Sequence, residues 1–300
     1  MQNTATKSGF IAIVGRPNVG KSSLLNAMVG AKVAIVSDKP QTTRTRITGV
    51  LTKGDTQLVF IDTPGLHKPR TSLGRFMVRQ VSETVADVDA VMLVTEATGP
   101  LSTAEEQLIE NFQKHGIPAV AVLNKIDQCK DKSVLMAKMA LLAEKYSFDQ
   151  IVPLSALTGE GVSLLVGLLE GYALPGPHYF DDDALTDQPE RVLAAEIIRE
   201  KLLRSMRDEI PHGTAVVIES MTEREGGGLL DIQAIIYCER ENHKGMIIGK
   251  GGAMLKRVAT HAREDMERFF DSKVNLQCWV KVKEDWRNKE QILRSLGYNN

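Results

Sequence analysis

Two stretches of this 300-residue chain combine glycines and a lysine in a spacing that suits phosphate: GRPNVGKS from Gly15 to Ser22, and IIGKGG from Ile247 to Gly252. The first matches GxxxxGK[ST] and lies between an apolar run and a helical pattern. Its glycines let backbone N–H groups turn inward around an anion, at a helix N-terminus whose partial positive charge favours one. Lys21 is placed to reach the β- and γ-phosphates of a nucleoside triphosphate, and the Ser22 hydroxyl to ligate Mg²⁺. Gly15, Arg16, Pro17, Asn18, Val19 and Gly20 form the rest of the expected loop, and Ser23 follows it.

Three further elements follow in order. Asp62-Thr63-Pro64-Gly65 begins 40 residues beyond Ser22; Asp62 can hold Mg²⁺ through water and the Gly65 N–H can contact the γ-phosphate. Asn124-Lys125-Ile126-Asp127 selects the base. A carboxylate placed like Asp127 accepts two hydrogen bonds from guanine, each worth roughly 1.5–3 kcal/mol, whereas adenine would present a lone pair. Ser155-Ala156-Leu157 would bring a backbone N–H to guanine O6. Residues 37–46 are read as the first switch, with Thr42 and Thr43 as candidates to close on Mg²⁺ and γ-phosphate and Thr43 preferred. The catalytic set is therefore Lys21, Thr43 and Gly65, and the Mg²⁺ set is Ser22, Thr43 and, through water, Asp62.

Together these motifs resemble the translation-factor-like branch of P-loop GTPases. Where Ras-like members carry a water-orienting Gln after the DxxG glycine, this chain has Leu66. An apolar side chain cannot orient water, so hydrolysis of GTP to GDP and phosphate is expected to be slow. Asn18 sits where some related GTPases hold K⁺, which makes K⁺ a second candidate cofactor beside Mg²⁺.

In the second loop, Gly249-Lys250-Gly251-Gly252 satisfies GxxG, within an order helix–strand–strand–helix–GxxG–helix–strand that resembles a type II KH domain. Such a loop clamps about four backbone nucleotides of RNA, because glycine permits close approach of main chain to phosphate. Lys250 can contact phosphate, Ile247 and Ile248 could floor the bases, and Lys244, Lys256 and Arg257 are further backbone candidates. Trp279 and Trp286 invite a stacking role; Trp279, on a strand, is expected in the core, and Trp286 stays open.

The elements that must position these residues divide the chain. Up to about residue 173, apolar strands (10–14, 45–51, 57–61, 90–95, 119–123, 151–153) alternate with helical patterns (21–29, 73–85, 103–115, 134–144, 162–170). That alternation predicts an α/β domain with a mostly parallel sheet and helices on both faces, plus one hairpin around Lys53-Gly54-Asp55. Residues 174–190 read as a linker, with three prolines from Pro175 to Pro189 and an acidic triplet; the 16 residues Leu174–Pro189, fully extended, reach at most roughly 55 Å. Residues 191–300 read as an α+β domain: helix 193–206, strands 214–221 and 230–237, a helical pattern to 270, strand 274–282 and helix 286–296.

Composition narrows the class. The chain is 43% hydrophobic and 25% charged with a net charge of −1, ordinary globular material with no global field toward nucleic acid or membrane. Basic excess is local: residues 1–190 hold 18 Lys+Arg against 21 Asp+Glu, and residues 241–300 hold 12 against 8. Cys129, Cys238 and Cys278 have no CxxC spacing, and the six histidines no ligand spacing, so neither disulfides nor a transition-metal site is expected. The polar MQNTATKSG start is not a signal peptide, and no apolar run approaches the ~18 residues of a membrane span. A cytoplasmic protein is expected.

A P-loop GTPase domain followed by a KH domain resembles the Era family of bacterial ribosome-assembly GTPases. The likeness spans essentially the whole chain: GRPNVGKSSLLN, VSDKPQTTRTRI, FIDTPGLHKP, NKID, SAL, TDQPERVLAAEIIREKLL and MIIGKGG. The related Der family has two GTPase domains, whereas a single P-loop occurs here. Ser23 stands where many members have Thr. The resemblance implies binding of GTP and GDP with Mg²⁺, slow hydrolysis, recognition of the 3′ end of 16S ribosomal RNA, a role in 30S subunit assembly, a monomeric state and partial peripheral association with the inner membrane. A constitutive RNA-binding protein with a structural nucleotide is the competing reading, separable by whether small subunits stimulate hydrolysis. A membrane-remodelling GTPase is disfavoured, because no amphipathic anchor is evident.

Overall fold

The computed structural model describes residues 6–39, 42–65, 71–206 and 210–298. Two compact units form. The first takes in most of the chain to Asp187; the second comprises Gln188–Asn300 with the described residues of Ile35–Thr42 and Pro69–Phe76.

The first unit runs β1 (Lys7–Val14), α1 (Lys21–Val29), β2 (Ile47–Lys53), β3 (Thr56–Asp62), α2 (Ser72–Ala86, its first turn in the second unit), β4 (Ala90–Glu96), α3 (Thr103–His115), β5 (Ala119–Asn124), α4 (Lys132–Lys145), β6 (Gln150–Pro153), α5 (Val162–Leu169) and β7 (Leu174–Pro175). Its sheet has the order β2-β3-β1-β4-β5-β6, with β7 paired antiparallel to β1. Only β2–β3 and β1–β7 are antiparallel. β4 and β5 read AVMLVTE and AVAVLN, almost wholly buried, as expected for central parallel strands covered on both faces. One core layer packs Leu24, Leu25 and Met28 of α1 with Leu165 and Leu169 of α5, and the other packs Leu108, Ile109 and Phe112 of α3 with Leu142 of α4. Ser102 and Glu105 close a capping box at the start of α3, satisfying two donors that the first helical turn leaves without partners. Chain order departs to opposite sides of β1, toward β3 and toward β4, so the C-terminal end of β1 is the switch point where such sheets bind ligands.

The segment from Leu174 to Asp187, expected as a free linker, clusters with this unit. Thr6 Oγ1 donates to Gly176 O at 2.8 Å and Ser8 Oγ to Pro177 O at 2.7 Å. The fully buried Gln57 accepts from the Tyr179 and Phe180 N–H groups at 2.8 and 3.0 Å and returns a bond to Phe180 O. Val50 N donates to Leu185 O at 2.9 Å. Proline and acid content predict a linker, but these long-range bonds give most of the segment a fixed course along β1–β3.

The second unit runs α6 (Glu190–Ser205), β8 (Ala215–Glu223), β9 (Leu229–Cys238), α7 (Glu241–Ile248), α8 (Ala253–Phe270), β10 (Lys273–Val282) and α9 (Glu290–Ser295). The sheet order is β10-β9-β8, with β9–β10 parallel and β8–β9 antiparallel. Val258, Ala262 and Met266 of α8, four residues apart, join Ile197, Ile198 and Leu202 of α6 on one face of the sheet. The helix expected over 286–296 is divided: a single 3₁₀ turn, Trp286–Asn288, precedes α9. Among the described residues no helix is long and apolar enough to cross a membrane.

Candidate nucleotide site and nucleic-acid interface

The first loop rises from the end of β1 and turns into α1 through glycines in conformations closed to other residues. A Cβ at Gly15 (φ 149°) would lie 2.2 Å from Val94 O, and one at Gly20 (φ 97°) 2.3 Å from Asn124 Nδ2. Asn18 adopts φ 65°, a left-handed geometry that asparagine tolerates better than most side chains. Lys21 is buried inside the loop and donates to Gly15 O at 3.1 Å and Arg16 O at 3.0 Å. Burial pulls its ammonium down to about 8, with Asp62 and Glu105 acting in the opposite direction. An arriving anion would restore the charge that burial disfavours.

Ser22, Thr43 and Asp62 converge. Ser22 Oγ lies 2.9 Å from Thr43 Oγ1 and donates to Asp62 Oδ2 at 2.7 Å, while Thr43 Oγ1 lies 3.3 Å from the same oxygen. Burial raises the Asp62 carboxyl pKa, against the opposing effects of Lys21, the two hydroxyls and the Thr63 N–H. Asp62 Oδ1 is buried without a hydrogen-bond partner. Two hydroxyls and a carboxylate whose second oxygen is unsatisfied form a hard donor set that fits Mg²⁺, which keeps several waters. Thr63 anchors the strand end, its N–H and Oγ1 reaching Ile13 O at 3.3 and 2.8 Å. Gly65 approaches the loop so closely that a Cβ would stand 2.7 Å from Pro17 Cα. Leu66 lies outside the described residues.

Asn124 ties three elements together: Nδ2 donates to Val19 O at 2.8 Å, and Oδ1 accepts from Lys125 N at 2.8 Å and Ala156 N at 2.9 Å. Lys125 Nζ donates to Asn18 O at 2.7 Å and to Glu96 Oε1 at 2.5 Å. The exposed Asp127 carboxylate accepts from the Ser155 hydroxyl at 2.6 Å. The structure thus brings Asn124, Lys125, Asp127, Ser155 and Ala156 beside the first loop, with Ser22 and Ser23 opening α1.

Glu96 was missed by sequence reasoning. It closes β4 at the switch point and pairs with both Arg16 and Lys125. Burial alone would raise its carboxyl, but hydrogen bonds and charge from Lys125 and Arg16 outweigh that and hold it below the usual carboxylate range. Its position at the C-terminal end of a parallel strand was the available signal. Arg199, Glu200 and Arg204 of α6 were also missed. Within the second unit, Val36 N donates to Glu200 Oε1 at 3.0 Å, Arg204 Nη2 donates to Val36 O at 2.9 Å, and Arg199 donates to Thr42 O. The segment read as the first switch is therefore held by this helix just before Thr43.

In the GxxG loop, Gly249 (φ 74°), Gly251 (φ 58°) and Gly252 (φ 80°) all have positive φ. At Gly249 a Cβ would meet Met254 Cβ at 2.7 Å, so the α7–α8 junction needs glycine there. Lys250, Lys256 and Arg257 are exposed, and Lys244 is half-buried beside Glu241. One expectation is corrected: Ile247 is fully buried in the helix–sheet core and supports the loop from below. Ile248, half-buried, is the member of that pair with surface to offer. The core expectation for Trp279 is corrected as well, and the open case of Trp286 resolves to the core. Trp279 is 43% exposed, whereas Trp286 is fully buried and donates Nε1–H to Gly213 O at 3.0 Å.

A phosphate loop at the switch point of a mostly parallel sheet, a base-side cluster at the next strand ends and a GxxG junction define a P-loop GTPase joined to a KH domain. The family model described as 50S ribosome-binding GTPase matches residues 10–125, and the KH domain model matches residues 209–287. The chain is 48% identical over 293 residues to GTPase Era of Clostridioides difficile (98% of this chain, 99% of the relative) and 46% identical over 298 residues to that of Geobacter metallireducens (99% and 100%). Two solved structures are similar. One is a point variant of Aquifex aeolicus Era bound to GDP·AlF₄⁻, with a TM-score of 0.94 and 37% identity. The other is Era in complex with MgGDPNP and nucleotides 1506–1542 of 16S ribosomal RNA, with a TM-score of 0.93 and 38% identity. Each alignment covers 98% of this chain and all of the other. The chain belongs to the Era family and is a GTPase.

Proposed function

We propose that the protein is a GTP-dependent switch that binds the 3′ end of 16S ribosomal RNA and assists 30S subunit assembly, as a cytoplasmic monomer with partial peripheral membrane association. GTP is held by the loop from Gly15 to Ser23, with Asp127 reading guanine and Asn124 and Lys125 bracing the loop. Ser22 and Thr43 are the direct Mg²⁺ ligands and Asp62 acts through water; Mg²⁺ supplies charge neutralisation between the β- and γ-phosphates. Lys21 and the Gly65 N–H stabilise the transferring phosphoryl group. The observation that carries this reading is the convergence of the Ser22 and Thr43 hydroxyls on Asp62 Oδ2, beside a buried Oδ1 that has no hydrogen-bond partner.

Leu66 in place of a water-orienting Gln supports a low intrinsic rate, and Asn18 in the loop supports K⁺ as a cofactor. Single-turnover hydrolysis in Mg²⁺ should be slow and faster in K⁺ than in Na⁺; equal rates in the two salts remove K⁺ from the mechanism. RNA is held at Gly249–Gly252 with Lys250 on phosphate. Crosslinking in cells should map to the 16S 3′ end, and contacts confined to other RNAs would defeat that assignment. Gly251→Asp has room for its side chain, with nothing within 4 Å of a Cβ, and carries about 1–2 kcal/mol of strain at φ 58° in a conformation that aspartate visits; it should weaken RNA binding without changing GTP affinity. The division of labour follows the two sequence domains, residues 1–173 for nucleotide and 191–300 for RNA.

A further inference from the structure

The sheet of the second unit carries its core on one face, and its other face presents an open indole. Along β10, Val274, Leu276, Cys278, Val280 and Val282 pack into the helix-side core, so Asn275, Gln277, Trp279 and Lys281 point the opposite way. Trp279 is 43% exposed there. Its register partner on β9 is the buried Ile235, and the next pair on that face is Lys281 with Tyr237. Lys283 continues the row, its N–H bonded to Cys238 O at 2.8 Å, and its ammonium sits 4.8 Å from the centre of the Tyr237 ring. Exposed Gln277 and Gln233, also register partners, flank the indole.

These features select an occupant. A large flat π face on a rigid strand suits a base, and aromatic stacking tolerates any base. At about 3.3 Å of rise per residue, Lys281 and Lys283 lie about 7 and 13 Å along the strand from Trp279, two cations in line for a sugar–phosphate chain. Glu219 Oε1 stands 3.9 Å from Lys281 Nζ, but both side chains are about half exposed, so that pair yields at little cost. An acidic protein surface would use the lysines and leave the indole and the two amides without a role.

We propose that this face, opposite α6–α8 and bordered at Lys283 by Ser295 of α9 at 3.5 Å, is a second RNA-contact surface, on which an unpaired base stacks on Trp279 while Lys281 and Lys283 meet the adjoining phosphates. The proposal rests on the RNA-binding reading above and adds to it a surface on the sheet face opposite the α7–α8 helices.

The chain's two tryptophans supply the test. Trp286 is buried and gives a constant background, so any quenching by RNA reports Trp279. The full chain, Trp279→Ala, Trp279→Phe and Gly251→Asp would be titrated with a fluorescein-labelled 20-nucleotide RNA lacking self-complementarity, following tryptophan emission and label anisotropy in parallel. Quenching is expected in the parent and in Gly251→Asp at saturation. Affinity should fall about tenfold in Trp279→Ala, recover to within about threefold in Trp279→Phe, and leave GTP hydrolysis at the parent rate. Lys281→Ala with Lys283→Ala should lower the slope of log K against log salt by about 1–2. If the parent binds RNA in a Gly251-dependent manner while Trp279→Ala binds within twofold and emission is unchanged, the surface is refuted and the KH reading stands. If the parent binds no RNA, the KH reading itself fails. Weakened binding without quenching assigns Trp279 a structural role, and quenching by intact 30S particles with none by naked RNA assigns a protein partner; either result overturns the proposal.

Discussion

The proposed function puts base choice on Asp127, an exposed carboxylate that accepts from the Ser155 hydroxyl at 2.6 Å. Asp127→Asn sets a donor against the guanine amino group, whereas the exocyclic carbonyl oxygen that xanthine carries in its place would accept from it. GTP affinity should fall roughly 10- to 100-fold, in line with ~1.5–3 kcal/mol for a charge-assisted bond, while xanthosine triphosphate gains. Competition binding with the two nucleotides checks this, and unaltered preference for GTP would overturn the base assignment. Residues of this kind are legible from sequence because a short motif fixes both chemistry and place. Ile247 and the tryptophans were not, because motif and residue type say nothing about which face of an element is covered. Trp279 alternates with core residues of β10 and so faces outward, while Trp286 stacks on Tyr298 with ring centres 6.0 Å apart.

Strand–helix alternation was strong enough to read the parallel sheet, since AVMLVTE and AVAVLN admit no exposed face. The course of Leu174–Asp187 was not readable in this way, because its partners are Thr6, Ser8, Thr48, Val50 and Gln57, more than a hundred residues away. His178 gives this segment a pH dependence. Its Nδ1 lies 2.6 Å from Asp182 Oδ1 and its Nε2 3.2 Å from Asp55 O. Both ring nitrogens face acceptors, so only the imidazolium satisfies both, and the hydrogen bond it donates to Asp182 leads the effects that raise the pKa above 6.5. A raised folded pKa contributes stability that is full below the unfolded value and is lost as pH climbs through the folded one. Proton NMR titration of His178 should give a midpoint above 6.5 that falls toward it in Asp182→Asn. Protection of amides near residues 177–180 should decline over the same pH range. A midpoint at or below 6.5 in the parent removes this staple.

Coupling between nucleotide and RNA needs an element that one ligand moves and the other feels. The chain leaves the second unit at Thr42 and enters the first at Thr43, so the switch hydroxyl next to Ser22 and Asp62 is one peptide bond from a segment held by α6. That helix spends charge on the segment: Glu200 accepts from Val36 N, and Arg204 donates Nε and Nη2 to Val36 O at 3.1 and 2.9 Å. Glu200 is itself fully buried and braced by Lys201 and Arg204 at 3.0 Å each. The same helix lines the core beneath the RNA-binding sheet through Ile197, Ile198 and Leu202. If Thr43 closes on Mg²⁺ and γ-phosphate as proposed, the pull would pass along the backbone to Thr42, and linkage would then require RNA to pull back equally. Arg204→Ala is the mild probe, because its side chain is 51% exposed and its loss opens no core cavity. RNA affinity in the parent should differ between GDP and a non-hydrolysable GTP analogue by roughly 5- to 150-fold. Arg204→Ala should shrink that ratio about fivefold, the worth of about 1 kcal/mol for its bonds to Val36 O. GTP affinity measured without RNA should change less. Equal RNA affinity in the two nucleotide states of the parent would sink the coupling itself. An unchanged ratio in Arg204→Ala would keep the coupling and move it off this helix.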